Sequence, residues 1–88
     1  MRYLLLFSPA ATEDFERLEL KTQQRTVERL RWFLENDVLP EPLEGNFKGL
    51  FKLRVGDYRI VYDFSGATVM RVLMVRHRSK AYEDLARD

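Results

Sequence analysis

Residues 51–64, Phe-Lys-Leu-Arg-Val-Gly-Asp-Tyr-Arg-Ile-Val-Tyr-Asp-Phe, alternate apolar and polar side chains on either side of Gly56-Asp57. Such alternation around a Gly-Asp pair predicts a two-stranded hairpin. A two-residue turn fixes the register: Val55 opposite Tyr58, Arg54 opposite Arg59, Leu53 opposite Ile60, Lys52 opposite Val61 and Phe51 opposite Tyr62. Successive strand side chains point to opposite faces, so Phe51, Leu53, Val55, Tyr58, Ile60 and Tyr62 share a core face. The other face receives Lys52, Arg54 and Arg59. Two arginines opposed across strands destabilise a sheet, and apart from Asp57 in the turn itself the sequence interleaves no acid among these three before Asp63. An anion placed between them would relieve the repulsion, so the face is a candidate phosphate site.

The 88 residues suffice for one domain, 1–88, with one modest core. The net charge of +1 conceals an asymmetry. Residues 1–44 hold 6 Lys/Arg against 9 Asp/Glu, whereas residues 45–88 hold 9 against 5. The basic excess accompanies the hairpin, as a polyanion-binding surface requires. Absence of cysteine excludes disulfides and thiolate metal sites and fits a reducing cytoplasm. The apolar run Tyr3–Phe7 is too short for a signal peptide and reads as a first strand. Nothing approaches the roughly 20 apolar residues of a membrane-spanning helix.

Ser8-Pro9 predicts a helix start, serine as N-cap and proline at the first helical position. Glu13, Asp14 and Glu16 follow where the helix dipole favours negative charge. A second helix is predicted from Thr22 to about Asn36, with Val27, Leu30, Phe33 and Leu34 as its apolar stripe. Pro40, Pro42, Gly45 and Gly49 mark residues 37–49 as irregular. Three strands follow at about 50–55, 58–64 and 68–76. The last is apolar on both faces, as an interior strand should be. The tail from Ser79 can form a short helix containing Tyr82 and Leu85. The expected fold is α+β: a strand, a helical hairpin, an antiparallel three-stranded meander and a C-terminal helix or tail.

Arg76-His77-Arg78 closes the third strand beside the hairpin's basic face. Arginine's planar fork suits phosphate oxygens. His77 is the only histidine, and no carboxylate cluster accompanies it, so no metal site is expected. Tyr82 is either an anchor for the tail or a ring that meets a nucleotide. Arg25, Arg29 and Arg31, mixed with Glu28 and Glu35, read first as a solvated helix face, with a supplementary RNA contact as the alternative.

The run Phe51–Tyr62, the strand ending in Val75-Arg76-His77-Arg78, and Tyr82 together resemble the RelE/ParE superfamily of bacterial and archaeal toxins. The similarity spans nearly the whole chain, and the segment Gly56–Tyr62 is its most characteristic part. RelE-like members are ribosome-dependent endonucleases that cut messenger RNA; ParE-like members poison DNA gyrase. Carried across, the resemblance implies catalytic positions at Lys52, Arg54, Arg59, Arg78 and Tyr82. Arg76, His77, Lys80, Lys48 and Arg29 are further candidate RNA contacts, and no cofactor is expected. Arg54 stands where a second lysine is often found, and arginine is a poor general base. The implied chemistry is attack of the substrate's own 2′-hydroxyl on the adjacent phosphorus. Arg59 and Arg54 would stabilise the transition state, Lys52 would activate the hydroxyl, and Arg78 would hold the phosphate or protonate the leaving oxygen. The resemblance also implies a cognate antitoxin, the ribosome and messenger RNA as partners. A gyrase inhibitor without chemistry and an inactive antitoxin-binding module are the alternatives.

Overall fold

The hairpin pairs in the expected register at all five positions from Phe51↔Tyr62 to Val55↔Tyr58. Of its two turn residues only Gly56 has positive φ, +56°, as a type II′ turn requires. The computed structural model describes residues 3–43, 45 and 47–80. Within them the elements are β1 (Leu4–Phe7), α1 (Pro9–Arg17), α2 (Leu20–Glu35), β2 (Glu41–Pro42), β3 (Phe51–Val55), β4 (Tyr58–Ser65) and β5 (Val69–His77). They form one five-stranded sheet in the order β1-β5-β4-β3-β2. β1 runs parallel to β5, and the remaining pairs are antiparallel. The expected C-terminal helix falls mostly outside the described residues; its first turn is present at 78–80.

Ser8 caps α1 as expected, its Oγ accepting from the Ala11 N–H at 3.0 Å. α2 begins two residues earlier than the sequence suggested. Its buried stripe is Thr26, Leu30, Phe33 and Leu34, while Val27 is exposed. Thr26 can sit in that stripe because its hydroxyl donates to the Thr22 carbonyl at 2.8 Å. Leu30, Phe33, Leu34 and Ala11 close over Leu53, Val55, Ile60, Tyr62, Met70, Val72 and Val75. β2 was not anticipated. Two residues, one of them a proline, carry no period-2 signal, yet Glu41 pairs with Lys52 at the sheet edge.

A β-bulge decides what the far side of the sheet displays. Val61 pairs with Met74, but Tyr62 pairs with Val72, so Leu73 is an extra residue on β5. Strict alternation from Met70 and Val72 would turn Arg76 toward the core. The bulge reverses the phase, so Val75 joins the core and Arg76 joins the outer face. The α1 segment supplies partners around it. Ser8 Oγ donates to the Leu73 carbonyl at 3.0 Å, and the Val75 N–H donates to Asp14 Oδ2 at 3.1 Å. Asp14, expected as a dipole-stabilising surface acid, is therefore buried on the β5 edge left open where β1 ends.

Candidate nucleic-acid interface

Register places three arginines in a line across neighbouring strands: Arg54 on β3 faces Arg59 on β4, which faces Arg76 on β5. Two residues further from the turn on β3, Lys52 lies beside Glu41 of β2. Glu41 interleaves the acid that the hairpin itself lacks. Its Oε2 is 3.5 Å from Lys52 Nζ and 3.3 Å from Arg54 Nη2. The Glu41 side chain is half exposed (49%), whereas only 12% of Lys52's is accessible. At the other end of the line, Arg76 Nε donates to Asp14 Oδ2 at 2.9 Å. Asp63, also on this side, takes Arg71 through both carboxylate oxygens, a pairing that pushes the guanidinium pKa upward.

Arg59 is different. Its guanidinium donates to the Tyr58 carbonyl at 3.2 Å and the Gly56 carbonyl at 3.5 Å. Among the described residues it has no acidic partner. The outer face thus holds a cation flanked by two arginines whose charge is already part-compensated at the periphery. An anion entering the row would find its strongest unopposed attraction at the centre.

Other expected residues fall around this row. The Arg78 N–H donates to the Asp57 carbonyl at 2.7 Å, which brings the strand end against the hairpin turn. His77 lies on the opposite side of the sheet from Arg76. It packs edge-on against Tyr58 at 5.6 Å and meets Ser79 Oγ through Nδ1 at 2.9 Å. Lys48 is exposed in the loop before β3, and Lys80 on the first turn after β5. Arg29 approaches from α2, its Nε donating to the Arg54 carbonyl at 3.2 Å. Tyr82 lies outside the described residues.

Two functional features were missed in the sequence. Glu41 sits in a segment with no recognisable pattern. Tyr62 reads simply as core, yet its hydroxyl is buried with no hydrogen-bond partner among the described residues. Burial, then the nearby Tyr3 and Glu41 charges, push its pKa upward. Tyr62 also borders a cavity of about 200 Å³ that reaches Arg29, Glu41, Lys52 and Arg54.

A mixed five-stranded sheet with a helix pair packed on one face is the RelE-like fold. The chain belongs to this RelE/ParE superfamily: residues 5–82 match the ParE toxin of type II toxin–antitoxin systems. Among solved structures it is similar to the RelBE2 toxin–antitoxin complex from Mycobacterium tuberculosis, with 27% identity over 89% of this chain and 93% of that one, TM-score 0.75. The archaeal RelE–RelB complex from Pyrococcus horikoshii shares 26% identity over 92% and 100% of the two chains, TM-score 0.69. The isolated RelE toxin of E. coli shares the fold at 23% identity, covering 96% and 95%, TM-score 0.72. No curated protein matches the chain in sequence. No helix among the described residues is long and apolar enough to cross a membrane.

Proposed function

We propose that this toxin is a ribosome-dependent endonuclease that cuts messenger RNA in the cytoplasm and is held in check by a cognate antitoxin. The observation that carries this reading is the in-register row Arg54–Arg59–Arg76, with Arg59 at its centre meeting no acid among the described residues. The likeness to toxins solved together with their antitoxins supports the antitoxin partner.

In the proposed reaction the scissile phosphate lies on the row. The 2′-oxygen bonds to phosphorus, the bond from phosphorus to the 5′-oxygen breaks, and a 2′,3′-cyclic phosphate and a 5′-hydroxyl result. Charge grows on the non-bridging oxygens, where Arg59 and Arg54 donate. The proton leaving the 2′-hydroxyl goes to Lys52 or to Glu41. Glu41 is the stronger candidate: it is a half-exposed carboxylate at the end of the row, and a carboxylate accepts a proton at neutral pH as a guanidinium cannot. Arg76 or Arg78 returns a proton to the leaving 5′-oxygen, and Tyr82 orients the nucleotide. Arginine is a weak acid, so much of the rate must come from holding the RNA in line, a task for the ribosome.

The test expresses wild type, Arg59→Ala and Glu41→Gln and maps 5′ ends on translated and untranslated copies of one message. Cuts confined to the translated copy, reduced about 10²–10³-fold in each variant, are the expected result. The match to ParE toxins favours a second reading, gyrase inhibition. Growth arrest with no cuts, equal in wild type and Arg59→Ala, would establish that reading instead.

A further inference from the structure

We propose that Trp32 on α2 is a stacking platform for an unpaired nucleobase of the RNA whose phosphate occupies the cation row. The proposal rests on the reading of that row as an RNA site and adds where the strand goes next. Trp32 is the chain's only tryptophan, and it stands 41% exposed on the helix surface. It borders an open cleft of about 330 Å³ between α2 and the hairpin turn, shared with Arg25, Glu28, Arg29, Arg54 and Gly56. Three cations and one acid make this cleft suited to a polyanion.

Arg29 organises the platform. Its guanidinium carbon lies 4.2 Å from the Trp32 ring centroid, a cation–π stack. Its Nε is simultaneously tied to the Arg54 carbonyl of β3. The indole is therefore held against the same strand that supplies the row, with Arg54 bordering both sites. An arginine clamped to an exposed indole beside a phosphate-binding row is the combination that binds single-stranded nucleic acid: cations follow the backbone and an aromatic ring receives a base. A strand with a phosphate at Arg59 and Arg54 can pass round the β3 edge at Arg54, which β2 leaves uncovered, and lay a neighbouring base against the indole on the helix side of the sheet.

The experiment uses the intact toxin and a short single-stranded RNA with 2′-O-methyl riboses, which cannot be cut. Tryptophan fluorescence of the wild type reports Trp32 alone, and anisotropy of labelled RNA reports binding independently. The expected result is saturable quenching that tracks anisotropy, about a 10-fold loss of affinity in Trp32→Ala and substantial recovery in Trp32→Phe. A fully paired duplex of the same sequence should leave the fluorescence unchanged. If the RNA binds, and binding falls in Arg59→Ala, while fluorescence stays constant and Trp32→Ala binds normally, the platform is refuted and the row stands. Absence of RNA binding overturns both. Quenching without cleavage of translated messages keeps the platform and removes the nuclease reading.

Discussion

Replacing Asp14 by alanine should destabilise the protein far more than loss of one ion pair on a helix surface. Asp14 is 6% exposed, and its Oδ2 accepts from two groups, the Val75 N–H at 3.1 Å and Arg76 Nε at 2.9 Å. The first loss leaves a buried backbone donor without its acceptor, costing about 2 kcal/mol. The second removes a charge-assisted bond to a guanidinium still 34% exposed, so solvent screening reduces it to about 1 kcal/mol. The sum is about 3 kcal/mol, which in a domain of this size lowers Tm by roughly 12–20 °C. Asp14→Asn keeps an acceptor for Val75 and should cost only about 1 kcal/mol. Urea titration and thermal melting followed by circular dichroism measure both. A loss below about 0.5 kcal/mol in Asp14→Ala would refute the reasoning, because the bulged strand would then not depend on this carboxylate. Asp14→Asn also has a functional signature. It removes the negative charge that Arg76 Nε meets, so the salt dependence of RNA binding should steepen by up to about one phosphate-equivalent.

Tyr62→Phe should be neutral or stabilising near pH 7, since it removes a buried hydroxyl that meets no hydrogen-bond partner among the described residues. Burial raises the folded-state pKa of Tyr62 above its ordinary 10.0, so only the unfolded phenol ionises as pH passes that value. Wild-type stability should therefore fall above pH 10 by up to about 1.4 kcal/mol per pH unit, with Tyr62→Phe melting less steeply. Gly56→Val places a β-branched residue at φ +56° and should cost at least about 1–2 kcal/mol, seen in urea unfolding. Arg59→Ala should change stability by less than about 0.5 kcal/mol while cleavage of translated messages collapses, separating site from scaffold.

The hairpin was legible to the register pair because alternation and a two-residue turn leave one solution. Ser8-Pro9 likewise announces its helix through local chemistry. What the sequence concealed depends on contacts distant along the chain. Asp14 looks like any acid in a first helix, and only the open edge of β5 gives it a reason to be buried. Arg76, His77 and Arg78 read as one cluster, but the sheet separates His77 from Arg76 onto opposite faces. Which of the two joins Arg59 is fixed by the bulge at Leu73, for which an unbroken apolar run gives no sign. Glu41 was invisible because a two-residue strand that includes a proline borrows its order wholly from β3. The like-charge argument that singled out the row was thus incomplete. Glu41 and Asp14 relieve its flanks, and among the described residues Arg59 meets no acid.

The parallel pairing of β1 with β5 governs when the cation row is completed during the protein's own synthesis. Ser8 and Leu73 are bonded across 65 positions of sequence, and Asp14 and Arg76 across 62. A nascent chain that has not reached Val69 has no strand to separate β1 from β4, no cover for β4 and no third arginine. Its hairpin and helices are complete, yet the surface that distinguishes the folded toxin is not. Contacts of such long range form late and slowly. The ribosome making the toxin therefore finishes nearly the whole chain before the cation row exists, an ordering set by topology alone.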